Sequence, residues 1–485
     1  MTALYAKYLL WSLGAPRTLT ETLGPTVFKA GKLYIQAKLA QTIIEAFLEA
    51  EKCPKEPGVS VAGVEPWASD LTQACFEAAV KIFNIIPDQP TSTLVDNLDH
   101  YHFNTCTIDL DLSNKNLPWQ TIYNITKALY DRNITVKSAN FSSNVITSID
   151  QILQTLPWTV VTLDLSQNQI GSIGTNKAGV NFSSLPRFLT YLDLSDNSIG
   201  YNDNGVVDFT GLPPFLTYLD LSTDYIEYVV GFSALPRSLT YLDLSDNFIG
   251  YNDNGVVDFT GLPSFLTYLD LSNDYIEYVV GFSTLPRSLT YLDLSGNSIG
   301  ADGAIVDFSA LPRSLTYLDL SGNEMGSSID AVDFTGLPPS LTYLGLGGNF
   351  IRSNDAVNLT GLPPSLISLD LSYNAIGDGG AIVSFTGLPP SLTYLDLSQN
   401  QIGYNGTVNL TGLPPSLTSL DLSYNAIGDG DAIVSFTGLP RSLTSLYLSW
   451  SRIGDGDKPV SFTGLPPSLT YLDQGVDSYL VEKFH

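Results

Sequence analysis

The phrase Leu-Thr-Tyr-Leu-Asp-Leu-Ser-x-Asn-x-Ile returns at nearly fixed intervals from about residue 160 to the end of the chain. Such a chain is predicted to fold as a stack of like units, because one short unit cannot bury its own apolar face. The Leu-x-Leu pairs run from Leu163/Leu165 through Leu192/Leu194, Leu219/Leu221 and Leu242/Leu244 to Leu446/Leu448, at spacings of 23 to 29 residues. Degenerate copies stand around Leu110/Leu112 and Ala139/Phe141, and a broken one at Leu472/Gln474, giving about fifteen units. Residues 195–244 and 245–294 are tandem copies that differ only at Ser198/Phe248, Pro214/Ser264, Thr223/Asn273 and Ala234/Thr284. The array therefore grew by duplicating two-unit blocks.

Each unit is readable in physical terms. Leu-x-Leu has the period of a short strand with both leucines turned to the core. The asparagine that follows (Asn168, Asn197, Asn247, Asn297, Asn323, Asn349, Asn374, Asn400, Asn425) sits where the chain leaves the strand. Its amide can satisfy backbone groups that stacking buries. Asp224 and Asp274 replace it in two units, and Ser451 in one. The return segment carries an apolar residue, usually Phe, from Phe182 and Phe209 to Phe436 and Phe462, predicting a second buried column. Pro-Pro or Pro-Arg then disfavours a long helix, so the back wall should be thin, extended or 3₁₀. Residues 118–131 and 148–155 have 3.6-residue periodicity and are expected to be helices. Stretches 3–13, 26–52 and 66–86 also read as helices, forming an N-terminal cap or docking domain over 1–104. The array would occupy 105–477, with 478–485 as a tail.

This pattern resembles the leucine-rich repeat over roughly residues 106–477. The phrase Leu311-Pro312-Arg313-Ser314-Leu315 is similar to repeats of effector proteins from intracellular bacterial pathogens, and Ile299-Gly300 with Gly303 to the ribonuclease-inhibitor-like class. The resemblance implies an α/β solenoid: a horseshoe or arc with a parallel sheet on the concave side, a thin convex side and a helical N-terminal cap. It also implies a binding scaffold rather than an enzyme. Some such effectors carry a ubiquitin-ligase domain with a nucleophilic cysteine, an activity not expected of a chain whose last cysteine is Cys106.

The formal net charge is −27, unevenly placed. Residues 1–159 hold 12 Lys/Arg against 15 Asp/Glu, and residues 160–485 hold 10 against 34. A field of that sign repels phosphates and attracts basic proteins, so nucleic acid is excluded as a partner and a protein with a basic patch is expected. No apolar stretch approaches the ~20 residues that span a bilayer, and the start lacks the basic leader of a signal peptide, so no membrane insertion is expected. Cys53, Cys75 and Cys106 form no closed disulfide framework, which favours a reducing compartment, either the cytoplasm or the cytosol of a host cell.

Chemistry is sparse. Histidine occurs only at 100, 102 and 485, and no nucleophile elbow, phosphate loop or paired Cys-x-x-Cys is present. His100, His102 and Cys106 have zinc-type donors but read better as a polar junction, and Asp429-Gly430-Asp431 as a turn. No catalytic residue, metal or cofactor is expected.

What remains is surface. Strand residues flanking the leucines should form columns on the concave face: Tyr191, Tyr218, Tyr241, Tyr268, Tyr291, Tyr317, Tyr343 and Tyr394, beside Asp193, Asp220, Asp243, Asp270, Asp293, Asp319 and Asp396. Tyrosine offers large contact area at low entropy cost, and Asp attracts cations. Copied consensus would produce the same columns without any binding role. Departures from the repeat therefore carry more information. Gly345, Gly347 and Gly348 should open a flat patch, and Tyr447, Trp450 and Arg452 combine residue types that dominate binding hot spots. The expected function is non-catalytic protein binding, possible for a secreted effector. The alternatives are an endogenous spacer or self-association surface, and a carbohydrate-binding wall.

Overall fold

In a computed structural model, the described residues are 34–36, 107–131, 135–171, 181–201, 205–251, 255–280, 282–301, 306–326, 333–352, 359–378, 383–404, 408, 410–428, 436–453 and 464–473. Two compact units emerge: Met1–Asp203 with Thr210–Asp224, and Asn204–Phe209 with Tyr225–His485.

In the first unit, β1 (Tyr34–Gln36), β2 (Thr107–Asp111), β3 (Thr135–Asn140), β4 (Thr162–Asp164), β5 (Tyr191–Asp193) and the strand Tyr218–Asp220 pair in parallel. Strand β1 corrects the expectation of a helix across 26–52. Hydrogen bonding to the edge of β2 there outweighs a helical apolar spacing. The remainder of the expected cap lies outside the described residues. Helices α1 (Trp119–Tyr130) and α2 (Asp150–Thr155) form where the 3.6-residue period occurs, burying Ile122, Ile125 and Leu129, and Ile152 and Leu153.

In the second unit, ten three-residue strands from Tyr241–Asp243 to Tyr471–Asp473 stack in parallel, one per repeat. Register is strict: Tyr268 faces Tyr291, Leu269 faces Leu292, and Asp270 faces Asp293. Parallel neighbours need a crossover, and here it is the return segment. Among the described residues that segment holds no α-helix in this unit, only short 3₁₀ turns such as Phe232–Ala234 and Phe308–Ala310 and short parallel strand pairs such as Val256–Asp258 with Tyr278–Val280, the thin extended wall that the prolines predict. The core lies between two columns. Leu242, Leu244, Leu269 and Leu271 are fully buried from the strand side, and Phe259, Phe308, Phe334, Phe385 and Phe436 close it from the back.

The asparagine ladder locks successive turns together. Asn323 Nδ2 donates to the carbonyls of Leu294 (2.9 Å) and Leu320 (2.9 Å), while its Oδ1 accepts the N–H of Ile299 at 2.8 Å. One side chain thus satisfies buried groups on its own turn and on the preceding one. A second link comes from the Leu-Pro-x-Ser phrase. Ser314 Oγ donates to the carbonyls of Arg287 and Leu289, each at 2.6 Å.

Candidate functional site

The Tyr and Asp columns lie side by side on the sheet face opposite the leucines, because alternate strand residues share a face. In the second unit the rings of Tyr241, Tyr268, Tyr291, Tyr317 and Tyr343 stack at centroid separations of 4.1 to 4.4 Å, within 12° of parallel. In the first, Tyr191 and Tyr218 stack at 4.2 Å. Each ring is half-buried by its neighbours. The series stops at Ser368; Tyr394 stands alone at 39% exposure.

The Asp column is less open than its sequence pattern suggests. Asp243, Asp270 and Asp293 are buried, and Asp193, Asp220, Asp319 and Asp396 half-buried. Both oxygens are engaged within the fold. Oδ1 of Asp243 accepts the Ser245 N–H (3.0 Å) and Oγ–H (2.7 Å), and Oδ2 accepts the Tyr241 hydroxyl at 3.1 Å. The same Tyr–Asp–Ser link recurs at Tyr268, Asp270 and Ser272. Burial, then the neighbouring Asp243 and Asp293, pushes Asp270 up to about 6. Burial, then the charge of Asp193, pushes the Tyr191 hydroxyl up to about 12.

Gly345 corrects the expected flat patch. Tyr343, which has no acid of its own, donates to Asp319 of the preceding strand at 3.3 Å. A Cβ at Gly345 would collide with the Asp319 carboxylate and the Ser321 hydroxyl, and one at Gly347 with Ser372 Oγ. Neighbouring side chains already fill that space.

Beyond the strands, the turn residue before each ladder Asn adopts a left-handed backbone. Gly296, Gly322 and Gly348 do so without cost, whereas Tyr373, Tyr424 and Trp450 do so with φ of +51, +55 and +56°. Trp450 is 62% exposed and stacks on Tyr424 at 5.9 Å and 17°. Tyr447 does not join it; its ring meets Tyr471 at 5.1 Å instead. Arg452 is exposed, with φ +57°. Trp450 does not close the end of the sheet, since Tyr471–Asp473 pairs beyond Ser445–Tyr447.

Sequence reasoning missed a further row of rings. Trp158, Phe188 and Phe215 are exposed and in contact at about 6 Å, Phe188 and Phe215 at the step where later units place the bonded Ser and Trp158 one residue before it. The signal was present, as Phe in a column otherwise Ser. His100, His102, Cys106 and the Asp429–Asp431 turn lie outside the described residues. Among the described residues there is no His/Cys/Asp/Glu group fit for a metal ion, and no helix long and apolar enough to cross a membrane.

A solenoid of parallel strand-and-return turns, tied by an asparagine ladder and presenting one uniform sheet face, defines a class of repeat proteins built as binding scaffolds. A model described as "Leucine Rich repeat" matches residues 186–203, 236–253, 286–306, 312–329, 363–383, 389–410 and 414–434, and the chain belongs to the leucine-rich-repeat family. Among solved structures it is similar to YopM from Yersinia enterocolitica, at 23% identity over 77% of this chain and 76% of that one, with a TM-score of 0.44. It is similar to an internalin of Listeria monocytogenes at 22% identity, over 74% and 89% of the two chains, with a TM-score of 0.45. A leucine-rich-repeat protein of Leptospira interrogans aligns at 20% identity over 76% and 90%, also at 0.45. No curated protein matches the chain.

Proposed function

We propose that the array is a non-catalytic scaffold whose protein partner lies along the tyrosine-rich concave face and is anchored at Trp450 and Arg452. The observation that carries this reading is Trp450 itself. A large ring is held exposed on a left-handed backbone, a conformation costing roughly 1–2 kcal/mol that glycine would adopt freely. The fold does not require the ring there, since Gly296, Gly322 and Gly348 fill the same step in other turns. Buried Trp and Arg dominate interface energetics. The balance of 10 basic to 34 acidic residues over 160–485 selects a partner with a basic patch and works against self-association.

A carbohydrate wall is disfavoured by the ladder geometry. Sugars stack on open ring faces, and rings 4.1 to 4.4 Å apart present edges. Delivery into a host cytosol is the narrower form of the proposal, supported by the Leu-Pro-x-Ser-Leu phrase and tested by a translocation assay.

The test compares Trp450→Ala with Asp243→Ala. Proteins retained from lysate by the immobilised chain are quantified for each variant beside its melting temperature. A specific partner should lose about thirtyfold in affinity in Trp450→Ala, the equivalent of about 2 kcal/mol, with little change in Tm. A variant that melts early yet retains the same proteins overturns the assignment.

A further inference from the structure

In the second unit, on the edge where the chain leaves the strands, four aromatic rings gather. Tyr225 stacks on Phe248 at 6.1 Å, Phe248 on Tyr275 at 5.6 Å, and Tyr251 meets Tyr275 edge-on at 5.9 Å. Tyr225, Tyr251 and Tyr275 are 46, 66 and 52% exposed. Stacking of the turns does not call for these rings: at the step occupied by Tyr225, Phe248 and Tyr275, other turns carry Ser298, Glu324, Ala375 or Gln401. Tyr225 and Tyr275 both have φ of +61°, where asparagine or glycine is easier to accommodate than tyrosine. An exposed ring cluster kept in a disfavoured backbone conformation is a candidate for recognition.

The charge around it narrows the occupant. Residues 225–280 contain eight Asp/Glu and a single basic residue, Arg237. Glu227 and Glu277 each follow a cluster tyrosine by two residues, and the exposed Asp246 precedes Phe248 by two. Ring faces in an anionic field attract cations, and a planar, weakly hydrated guanidinium stacks on them better than an ammonium does. A second copy of this chain brings the same negative charge and is repelled. We propose that Tyr225, Phe248, Tyr251 and Tyr275 form a docking site for an arginine-bearing peptide segment of a protein partner. The site is separate from the concave columns and from Trp450, and stands whether or not those bind.

The test measures fluorescence anisotropy of labelled octa-arginine and octa-lysine peptides titrated with the full chain at physiological salt. The arginine peptide should bind at least tenfold more tightly, since charge alone gives the two equal standing. In the variant Tyr225→Asn with Tyr275→Asn, chosen because Asn accepts the left-handed backbone, the preference should vanish while Tm holds or rises. Phe265→Ser removes an exposed ring elsewhere in the unit and should leave the preference intact. Equal binding of both peptides to the native chain overturns the proposal, as does a preference that survives the double substitution. Should that variant melt early, Tyr251→Ala gives the same reading through a partial loss of preference, and an unchanged preference there overturns it too.

Discussion

At positions 224 and 274 the ladder side chain has lost its amide donor. Asp274 is fully buried, its Oδ1 accepts the Asn247 N–H at 3.1 Å, and its Oδ2 is buried without a hydrogen-bond partner. Burial, reinforced by Asp270 and Asp246, raises its pKa well above the usual carboxylate range. Such a group stabilises the fold fully below its unfolded pKa of about 3.9, and that contribution is lost as pH rises toward the folded value. Asp274→Asn should therefore raise Tm at neutral pH by a few degrees, through a restored donor to the preceding turn worth about 1–3 kcal/mol. It should also flatten the fall of Tm with pH; calorimetry from pH 5 to 8 that finds the variant no more stable would contradict this. The role of the ladder asparagine was legible because it recurs at one step in nine turns. The difference made by aspartate was not, since it depends on burial. The engagement of the Asp column was half legible. Period-2 alternation put Tyr241, Asp243 and Ser245 on one face, but only the distances show both carboxylate oxygens committed inside it.

Elements in this protein are short, and their strength lies in lateral repetition. The tyrosine stacks add about 0.5–1.5 kcal/mol per ring pair beyond area burial. Against that, carboxylates recur from Asp243 to Asp319 on adjacent strands, about 4.8 Å apart, before Gly345 interrupts the column. Asp270, pushed up to about 6 by burial and then by its neighbours, should weaken the fold as pH climbs from about 4 through 6. Asp258, Asp307 and Asp333 shift downward through bonds from Thr260, Ser309 and Thr335, so they act in the opposite sense at lower pH. The expected outcome is a higher Tm at pH 5 than at pH 7.5, with modest salt raising Tm at pH 7.5 and doing less at pH 5. A melting point insensitive to both would count against an aligned acid ladder. Strand positions, the thin return segments, α1 and α2 could all be anticipated from periodicity. Strand β1 could not, because apolar residues spaced like a helix give no hint that the open edge of β2 stands nearby.

For the molecule as a whole, repetition made the class readable. Location of function was harder, because copied columns say little about where a partner sits. Residues 1–104 contribute β1 to the edge of β2, beside the buried Leu110 and Leu112. An uncovered parallel edge invites pairing with other chains. Deleting this segment should yield aggregates by size-exclusion chromatography; a soluble, monomeric fragment of 105–485 with one cooperative melt would instead make it an independent domain.

The asparagine ladder points in one direction, since each side chain completes the turn before its own. The N–H of Ile299 waits for Asn323, and that of Ile376 for Asn400. On a ribosome, a newly emerged turn therefore stays unfinished until the following 24 or so residues have cleared the exit tunnel, a delay of about 1–5 s at ordinary elongation rates. While the array is being synthesised the nascent chain carries one incomplete turn at the end nearest the ribosome, and a pause there prolongs the exposure of that turn.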